Sequence, residues 1–358
     1  MSADTLRGPV LVVGVGLLGT SIGLALRRHG IEVLLHDVST QNVSIASGLG
    51  AGEPWDRDTR PQLVVVAVPP DHLADEIVDA LGATSAVVTD VGSVKSGPLA
   101  EVARRTDPAA LRRYVGSHPM AGSERSGPLA ASSSLFEGRP WAITPHETSD
   151  PDAVAAVHAL VELCGATAVT FSPAEHDRAV ARTSHLPHLL ASLVAGRLTE
   201  APAAHLVLSG QGVRDVTRIA AGDPVLWRQI IAANADAVAA LLSDVRDDLD
   251  RLLTAVRDAE PSTVEDLLAR GVAGTGVIPG KHGGPVEPFG TLFVVVPDRP
   301  GELARLFADA SDIGVNIEDL HIDHDPGRPV GLVELTIAVD RVDFLEESLG
   351  ARGWTTHR

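Results

Sequence analysis

The sequence predicts an α/β protein in three parts: a doubly wound N-terminal sheet, an all-helical middle domain and a small C-terminal domain of βαββαβ order. Strand and helix patterns alternate over the first 172 residues and include a Gly-rich turn between the first strand and the first helix. From residue 174 to about 271 the hydrophobic period is helical throughout. A Gly- and Pro-rich stretch then precedes a second series of short strands and helices.

The composition fits a globular protein and excludes several functional classes. The chain has 358 residues, of which 44% are hydrophobic and 21% charged, which is enough for two or three domains. The formal net charge of -18 argues against a nucleic-acid or anionic-membrane partner, since both require a basic face. Cys164 is the only cysteine, so a disulfide framework and a Cys-rich metal site are excluded and no metal is expected.

Two features predict a cytoplasmic protein. The apolar run at residues 10–18 lacks the basic flank of a signal peptide and is interrupted by glycines. No later stretch holds about 18 uninterrupted apolar residues, so no membrane span is expected.

A dinucleotide-binding fingerprint follows the first strand. The apolar run at residues 9–13 leads directly into Gly-Val-Gly-Leu-Leu-Gly at residues 14–19, and a helical pattern comes next. Gly14 permits the tight turn, Gly16 lets the backbone approach a pyrophosphate, and Gly19 allows close packing of helix and strand. The candidate cofactor contacts here are Gly14, Gly16, Leu17, Leu18 and Gly19. A glycine turn in an α/β domain that binds no nucleotide is the alternative.

The second strand pattern, at residues 32–37, ends in an acidic residue about 20 positions after the fingerprint. Asp37 is placed to accept hydrogen bonds from the adenosine ribose and to repel a 2′-phosphate, which favours NAD over NADP. The third strand pattern, at residues 63–68, ends at Val68 before Pro69. Val68 and Pro69 complete the candidate cofactor contacts.

Further strands are predicted at residues 86–90, 139–144 and 166–171, and the last two are expected to complete the sheet. Gly-Ser-Val-Lys at residues 92–95 opens a turn before another helix. Ser93 can orient a substrate hydroxyl or a catalytic histidine from this turn. The alternative is a helix N-cap, which is the usual role of a serine in such a position.

The stretch at residues 116–124, Gly-Ser-His-Pro-Met-Ala-Gly-Ser-Glu, is too polar and Gly-rich to be core. It follows a predicted short strand at residues 113–115, so His118 is expected at the carboxyl end of a strand, where open α/β sheets bind ligands. Histidine suits proton transfer because its ordinary pKa is close to the working pH. His118 is therefore the candidate catalytic residue. The alternative is a histidine that only hydrogen-bonds its own loop.

The helical block carries two polar clusters on otherwise apolar helices, which indicates a lined cavity. The first is Ser-His-Leu-Pro-His at residues 184–188, and the second is Arg-Asp-Val-Thr-Arg-Ile-Ala at residues 214–220. An arginine that faces an active cleft would hold a carboxylate through two parallel hydrogen bonds. Taken singly, His185 and His188 are more often core histidines, and Arg218 is more often part of a structural salt bridge.

The C-terminal region follows a Gly- and Pro-rich linker and reads as βαββαβ, the ferredoxin-like arrangement. The predicted elements are strands at residues 289–296, 316–323 and 330–339, helices at residues 300–313 and 342–352, and a short last strand.

Five motifs together resemble the prephenate dehydrogenase family of tyrosine biosynthesis. They are the fingerprint at residues 14–19, GSVK at 92–95, GSHPMAG at 116–122, SHLPH at 184–188 and RDVTRIA at 214–220. Their order and spacing match over roughly the first 275 residues, and five linked motifs are more specific than any one alone. The resemblance implies an NAD-dependent oxidative decarboxylation of prephenate to 4-hydroxyphenylpyruvate.

The resemblance also implies roles for individual residues. His118 matches the histidine that hydrogen-bonds the ring hydroxyl of prephenate and takes its proton while hydride leaves for the nicotinamide. Ser93 matches the serine that helps to hold that hydroxyl and the histidine, and Arg218 matches the arginine that binds the ring carboxylate. The remaining substrate-pocket positions are Ser123, Glu124, Ser184, His188 and Arg214.

About the last 70 residues resemble an ACT domain, a small-ligand regulatory module of amino-acid enzymes, through DRPGEL at residues 298–303 and GVNI at 314–317. This resemblance implies an effector pocket at the interface of two such domains, with the pathway product tyrosine as the natural effector. The pocket residues are Asp298, Pro300, Gly301, Leu303 and Asn316. The alternative is a domain that only dimerises.

The expected organisation is a dinucleotide-binding Rossmann domain at residues 1–172, a helical substrate and dimerisation domain at 173–275, a linker at 276–287 and an ACT domain at 288–358. A homodimer is expected, with a small-molecule substrate.

Two other functions stay open, and a third lacks a residue that it needs. The nearest is an arogenate dehydrogenase that uses NAD or NADP. A β-hydroxyacid dehydrogenase would need a catalytic lysine in the helical domain, which has none. A sensor that binds a dinucleotide without turnover would make His118, Ser93 and Arg218 coincidental.

Overall fold

The structure is a computed structural model that describes residues 6–122, 125–278, 288–324 and 330–358. The chain divides into two compact units, Met1–Asp247 and Asp248–Arg358. The domain boundaries expected from the sequence stay predictions, and most of the expected linker, residues 279–287, lies outside the described residues.

The first unit contains a five-stranded parallel sheet. Its strands are β1 (Val10–Val13), β2 (Val33–His36), β3 (Glu53–Pro54), β4 (Leu63–Val66) and β5 (Val87–Asp90). They lie in the order β3-β2-β1-β4-β5. β1 and β4 are runs of buried Val and Leu, as strands covered on both faces require. The order reverses between β1 and β4, and the carboxyl ends of strands at such a point form the usual ligand crevice of an open sheet.

Helices cover both faces of this sheet. They are α1 (Leu17–Arg28), α2 (Thr40–Gly48), α3 (Pro70–Ala83), α4 (Ser96–Arg105), α5 (Pro108–Leu111) and α6 (Pro151–Leu163). Successive residues of β1 enter opposite cores, with Val10 and Val12 on one side and Leu11 and Val13 on the other. This is the doubly wound α/β arrangement that the sequence predicts.

A second, three-stranded sheet differs from the prediction. Its strands are β6 (Gly116–Pro119), β7 (Pro140–Thr144) and β8 (Thr167–Thr170), with β6 antiparallel to β7 and β7 parallel to β8. The last two strands were expected to extend the parallel sheet, but β7 pairs with β6, and β8 pairs with β7. A single parallel bridge between Val88 and Tyr114 joins the two sheets.

The expected strand at residues 113–115 was wrong by three positions, because β6 is formed by the Gly-Ser-His-Pro stretch itself. That stretch was also expected to lie outside the core, yet all four residues are buried. Burial is possible because its polar groups are paired: the Ser117 hydroxyl donates to the Asp90 carbonyl, and the Thr144 hydroxyl donates to the Gly116 carbonyl.

From Pro173 onward the first unit is helical, as predicted. The elements are α7 (Pro173–Val180), a π-helical turn (Ala181–His185), α8 (Leu186–Leu198), α9 (Ala203–Leu206), α10 (Gln211–Arg218), a 3₁₀ turn (Ile219–Ala221), α11 (Pro224–Ala233) and α12 (Ala235–Arg257). Ser172 and Glu175 form a capping box at the start of α7, which fixes the first turn of the helix shortly after the end of β8.

Among the described helices, none alone has the length and apolar character of a membrane span. Only α11 and α12 taken together meet that description, and they meet at an angle of 96°. The cytoplasmic location stays a prediction.

The second unit contains the end of α12, helix α13 (Pro261–Thr275) and a four-stranded antiparallel sheet with two helices. The elements of that sheet region are β9 (Phe289–Pro297), α14 (Glu302–Asp312), β10 (Asp319–His324), β11 (Val330–Ala338), α15 (Val342–Ala351) and β12 (Thr355–His357). The strands lie in the order β10-β11-β9-β12. The element order is βαββαβ, and alternate residues of β9 and β11 form its core with α14 and α15.

Candidate active site

The glycine turn after β1 has the geometry that a dinucleotide requires. Gly14 has φ +91°, and a Cβ there would lie 2.5 Å from the carbonyl oxygen of Ala67. A Cβ on Gly19 would lie 1.9 Å from the carbonyl oxygen of Gly14, so only glycine lets α1 approach the turn this closely. A Cβ on Gly16 would meet nothing within 4 Å, and Gly16 is the N-cap of α1 without a side-chain cap. The backbone N–H groups at the start of α1 can therefore receive a phosphate.

Asp37 directly follows β2 and organises the same turn. One of its carboxylate oxygens accepts from the backbone N–H of Val15 at 2.8 Å, and the other accepts from the N–H of Ser39 at 2.8 Å. The other candidate cofactor contacts lie at the same edge: Leu17 and Leu18 begin α1, and Val68 and Pro69 follow β4.

His118 and Ser93 lie at this carboxyl edge as well. Ser93 follows β5, and His118 is the third residue of β6. Tyr114, two residues before β6, forms a parallel bridge with Val88 of β5. The carboxyl ends of parallel strands meet at one edge of a sheet, so the structure brings both residues toward the dinucleotide turn. Ser93 is not a helix N-cap, since α4 begins at Ser96 with Lys95 as its N-cap residue.

The side chain of His118 is buried and bonded on one side only. Its Nδ1 lies 3.0 Å from Nε2 of His176, the fourth residue of α7. Burial, together with the electrostatic influence of the neighbouring His176, Lys95 and His185 side chains, holds the pKa of His118 well below its ordinary value of 6.5. Its Nε2 makes no hydrogen bond with a described residue, and neither does the Ser93 hydroxyl. A neutral imidazole with one free nitrogen is a competent proton acceptor.

A buried polar cluster contacts the backbone next to His118. The Lys95 ammonium pairs with the Asp90 carboxylate and donates to the carbonyl oxygen of Ser117, the residue before His118, at 2.7 Å. The Tyr114 hydroxyl donates to the other oxygen of Asp90 at 2.8 Å. Burial lowers the pKa of Lys95 and is opposed by the attraction of Asp90, whereas burial and Asp90 both raise the pKa of Tyr114. Both hydrogen-bond acceptors of the Lys95 ammonium are protein atoms, so Lys95 has a structural role in this cluster.

Asp177 caps α4 from a distant part of the chain. Its two oxygens accept from the backbone N–H groups of Lys95 and Ser96, each at 2.8 Å. The oxygen that accepts from Lys95 also lies 3.0 Å from Nδ1 of His176. Asn234 donates to the carbonyl oxygen of Asp177 at 2.8 Å. Asp177 therefore links the helical block to the sheet edge at which Ser93 and His118 lie.

The predicted substrate residues of the helical block differ in how far they are exposed. His188 of α8 is buried and stacks on Trp227, with ring centroids 3.6 Å apart and an interplanar angle of 9°. Ser184 is half-buried in the π-helical turn, a type of irregularity that is frequent at functional sites. Arg214 and Arg218 are exposed on α10, which packs on α8.

The salt-bridge alternative for Arg218 can be compared with the structure. No hydrogen bond or ion pair joins Arg214 or Arg218 to another described residue, so neither is part of a structural salt bridge there. The cavity expected between the polar clusters of the helical block stays a prediction. Ser123 and Glu124 lie outside the described residues.

The predicted effector residues all lie in the second unit at two neighbouring turns. Asp298, Pro300 and Gly301 are exposed in the turn from β9 to α14, where Gly301 has φ +93° and is the helix N-cap. Leu303 packs on the core of the unit, and Asn316 is exposed in the segment before β10.

No motif in the sequence pointed to His176, Asp177 or Asn234 as site residues. A histidine followed by an aspartate in the first turns of a helix is ordinarily solvated, and nothing local predicts that both are buried. Among the described residues, no group of three or more His, Cys, Asp and Glu side chains is arranged to hold a metal ion.

Family models match two consecutive parts of the chain. The prephenate dehydrogenase nucleotide-binding domain matches residues 22–170, and the prephenate dehydrogenase dimerization domain matches residues 172–270.

Individual proteins agree with these matches. NovF, a probable prephenate dehydrogenase of Streptomyces niveus, is 36% identical over 357 residues, which cover 96% of this chain and 98% of NovF. The structure of A. aeolicus prephenate dehydrogenase in complex with hydroxyphenyl propionate and NAD+ has 30% identity and a TM-score of 0.67, and the match covers 75% of this chain and 98% of that one. Synechocystis arogenate dehydrogenase has 25% identity and a TM-score of 0.63, and the match covers 75% of this chain and 99% of that one.

Proposed function

The chain belongs to the prephenate dehydrogenase family, and on this premise we propose that it converts prephenate and NAD to 4-hydroxyphenylpyruvate, carbon dioxide and NADH in tyrosine biosynthesis. One observation carries the proposal. His118 is buried at the carboxyl edge of the strands, bonded through Nδ1, with its Nε2 free of any described hydrogen-bond partner. The similar A. aeolicus enzyme is solved with NAD+ and hydroxyphenyl propionate, which supports this choice of cofactor and of an aromatic acid.

The residues around the glycine turn fit NAD. Gly16 leaves open space beside the uncapped start of α1, where a pyrophosphate would bind. Asp37 stands where an adenosine ribose would reach it, and its negative charge disfavours a 2′-phosphate. When bound, NAD supplies the hydride acceptor.

His118 and Ser93 would act on the hydroxyl of the substrate ring. His118 accepts the hydroxyl proton at Nε2 as the hydrogen on the same ring carbon leaves as hydride. The ring carboxylate then departs as carbon dioxide, and its bonding electrons complete the aromatic ring as a phenolate. The protonated His118 returns the proton to that oxygen, so the residue ends the cycle neutral. Ser93 would hold the hydroxyl in line with Nε2.

Arg218 is proposed to bind the ring carboxylate. It ends α10 without an ion pair among the described residues, so its guanidinium is available for a bidentate contact. Arg218→Ala should raise the KM for prephenate by about 10- to 100-fold and change kcat less, because a charged hydrogen bond is lost in the ground state and in the transition state.

Initial rates with Arg104→Ala, which removes an exposed arginine in the last turn of α4, provide the control for Arg218→Ala. An unchanged KM in Arg218→Ala would mean that another group holds the carboxylate.

The second candidate is an arogenate dehydrogenase, which the similarity to the Synechocystis enzyme favours. The two substrates differ in the side chain remote from the reacting hydroxyl, so both are compatible with the proposed roles of His118 and Ser93. Initial rates of NAD and NADP reduction with each substrate test the choice. Preference for arogenate would overturn the substrate and keep the role of His118. Absence of turnover with either would favour a dinucleotide-binding sensor.

The βαββαβ region is proposed to be an ACT domain that binds tyrosine and inhibits the enzyme. Asp298, Gly301 and Asn316 lie in the two turns that would form the pocket, and Gly301 takes the left-handed conformation that the turn needs. The full-length chain should lose activity and gain thermal stability when tyrosine is added. No response of rate or stability to any aromatic amino acid would leave the domain a dimerisation module only.

A further inference from the structure

Two residues with no role in the family motifs above form a hydrogen-bonded line behind His118. Nδ1 of His118 lies 3.0 Å from Nε2 of His176, and Nδ1 of His176 lies 3.0 Å from a carboxylate oxygen of Asp177. All three side chains are buried. We call His118, His176 and Asp177 the relay. Because each ring is bonded through a definite nitrogen, the relay constrains where its protons are.

The charge state of Asp177 determines which atoms donate and which accept in the hydrogen bonds of the relay. Burial raises the pKa of its carboxyl group, but hydrogen bonds from the His176 side chain, Ser96 and the Lys95 backbone outweigh burial and hold the pKa below its ordinary value. The group is therefore an ionised carboxylate at neutral pH and can only accept hydrogen bonds. It follows that Nδ1 of His176 carries a proton and donates to Asp177.

The remaining proton positions follow from this. A His176 ring with a single N–H carries that proton at Nδ1, so its Nε2 is an acceptor and takes a hydrogen bond from His118. Neutral His118 then carries its proton at Nδ1, and its lone pair is at Nε2, the nitrogen without a described partner. The opposite tautomer of His118 would place two lone pairs against each other across 3.0 Å.

The charged and titratable groups around His118 come from three elements. Lys95 lies in the segment after β5, His176 in α7 and His185 in the π-helical turn, and a positive charge on any of them would disfavour a second proton on the His118 ring. Burial lowers the pKa of His185 to about 4, so this neighbour is neutral at working pH. Asp90 neutralises Lys95, which leaves Asp177 as the anion connected to His118 through hydrogen bonds.

We propose that His176 and Asp177 are positioning residues that hold the proton of His118 at Nδ1, present Nε2 to the substrate hydroxyl, and stabilise the imidazolium that forms when His118 takes the substrate proton. This inference rests on the proposed role of His118 as the base. Asp177 is fixed in turn by the N–H groups of Lys95 and Ser96 and by Asn234, so the end of the relay cannot rotate away.

Asp177→Asn tests the relay, with Asp150→Asn as the matched control. An amide has one acceptor atom, so it cannot serve the three N–H groups that Asp177 accepts from, and its NH₂ group favours the wrong tautomer of His176. We expect kcat to fall on the order of 10²-fold while KM changes less than about threefold, since a misplaced tautomer acts on the chemical step.

The acid limb of the kcat profile of Asp177→Asn should also move to lower pH, because the anion that stabilises the imidazolium is gone. Asp150 caps α6 through the N–H of Asp152, away from His118, so Asp150→Asn should keep kcat and the profile of the parent. A kcat within about threefold of the parent, or an unmoved acid limb, would overturn the relay.

Two substitutions of His176 separate positioning from packing. Gln offers an amide oxygen that can accept from Nδ1 of His118, whereas Phe fills a similar volume without an acceptor. His176→Phe should lower kcat on the order of 10²-fold, and His176→Gln should recover part of it. Equal loss in both variants would indicate that His176 only fills space.

A measurement that needs no turnover separates this inference from the proposed function. In protein labelled with ¹⁵N-histidine, the ring nitrogen resonances report which nitrogen carries the proton, and the His118→Gln and His176→Gln variants assign them. We expect Nδ1 of His118 protonated and Nε2 unprotonated at neutral pH. A proton on Nε2 of His118 would overturn the relay even in an active enzyme. If His118 has the expected tautomer but the protein turns over neither prephenate nor arogenate, only the proposed function is overturned.

Discussion

The reaction proposed for this chain depends on a single imidazole ring, and the groups that touch it determine which nitrogen is basic. His118 lies in a strand, where its backbone is fixed by the ladder to β7 and by Lys95 bound to the preceding carbonyl oxygen. A side chain held this way loses little freedom when substrate binds, and the geometry of attack is set in advance. Two predictions concern this residue.

His118→Asn should lower kcat/KM by about 10²- to 10⁴-fold, the usual contribution of a general base. The amide can still accept a hydrogen bond, but it cannot take a proton from the substrate. Steady-state kinetics with prephenate and NAD measures the effect, and NAD binding followed by tryptophan fluorescence checks that the cofactor site is intact. A variant within about threefold of the parent would remove His118 from the role of base.

The pH dependence of kcat/KM should follow the neutral form of His118. Burial and neighbouring charges hold the pKa of His118 well below its ordinary value of 6.5, so protonation sets in only at more acidic pH. We expect kcat/KM to stay constant as pH falls through 6.5 and then to decrease with a slope of one proton. A midpoint at or above 6.5 would mean that the limiting group is not a buried histidine.

At the scale of elements, the contact between the glycine turn and α1 decides whether a dinucleotide can bind. The first residues of α1 can point their N–H groups at a phosphate only if the helix lies close to β1, and that approach depends on the missing side chain of Gly19. The same helix continues into the core through Ile22 and Leu26, so a change at Gly19 also affects packing.

Gly19→Ala should therefore weaken NAD binding by more than about tenfold and lower the melting temperature. Its new Cβ would lie 1.9 Å from the carbonyl oxygen of Gly14, so α1 or the turn must move. Gly82→Ala in α3 is the matched control, since a Cβ there meets nothing within 4 Å and alanine in a helix stabilises by about 0.5–1 kcal/mol. Isothermal titration and thermal melts give both quantities. Unchanged NAD affinity in Gly19→Ala would contradict the assignment of the turn.

At the scale of the whole molecule, the helices expose many large apolar side chains. On α12, Leu249, Leu253 and Val256 are spaced four and three residues apart, and all three are exposed. A stripe of this kind is typical of a helix that packs on another surface. The match of residues 172–270 to a dimerization domain supports the proposal that a second copy of the chain covers part of it.

Leu253→Glu should shift the protein from dimer toward monomer, because an unpaired carboxylate in an apolar interface costs several kcal/mol or more. Sedimentation equilibrium should give twice the 37.3 kDa of one chain for the parent and a lower average mass for the variant. Leu129→Glu, which changes an exposed leucine of the dinucleotide-binding region, is the control. Equal masses for all three proteins would exclude this stripe from the interface.

Much of the fold and of the dinucleotide turn could be predicted from the sequence because the relevant signals are local. The fingerprint at residues 14–19, the alternation of strands and helices, and the change to a helical period after residue 173 each depend on neighbours within about 20 positions. The position of His118 at the carboxyl end of a strand was also expected from the sequence, although the strand itself lies three positions later than expected. The roles given to His118, Ser93, Arg214, Arg218 and Ser184 stay predictions.

Which polar residues are buried, and what they contact, could not be predicted from the sequence. The polarity of residues 116–119 indicated a loop, but hydrogen bonds to Asp90 and Thr144, 27 and 28 positions away, allow them to form a buried strand. His176 lies 58 positions from His118, and Asp177 caps a helix that begins 81 positions before it. Periodicity depends on adjacent residues, so most elements and the dinucleotide turn can be predicted from the sequence. Burial of a polar group depends on partners from distant parts of the chain, so the surroundings of His118 are known only from the fold.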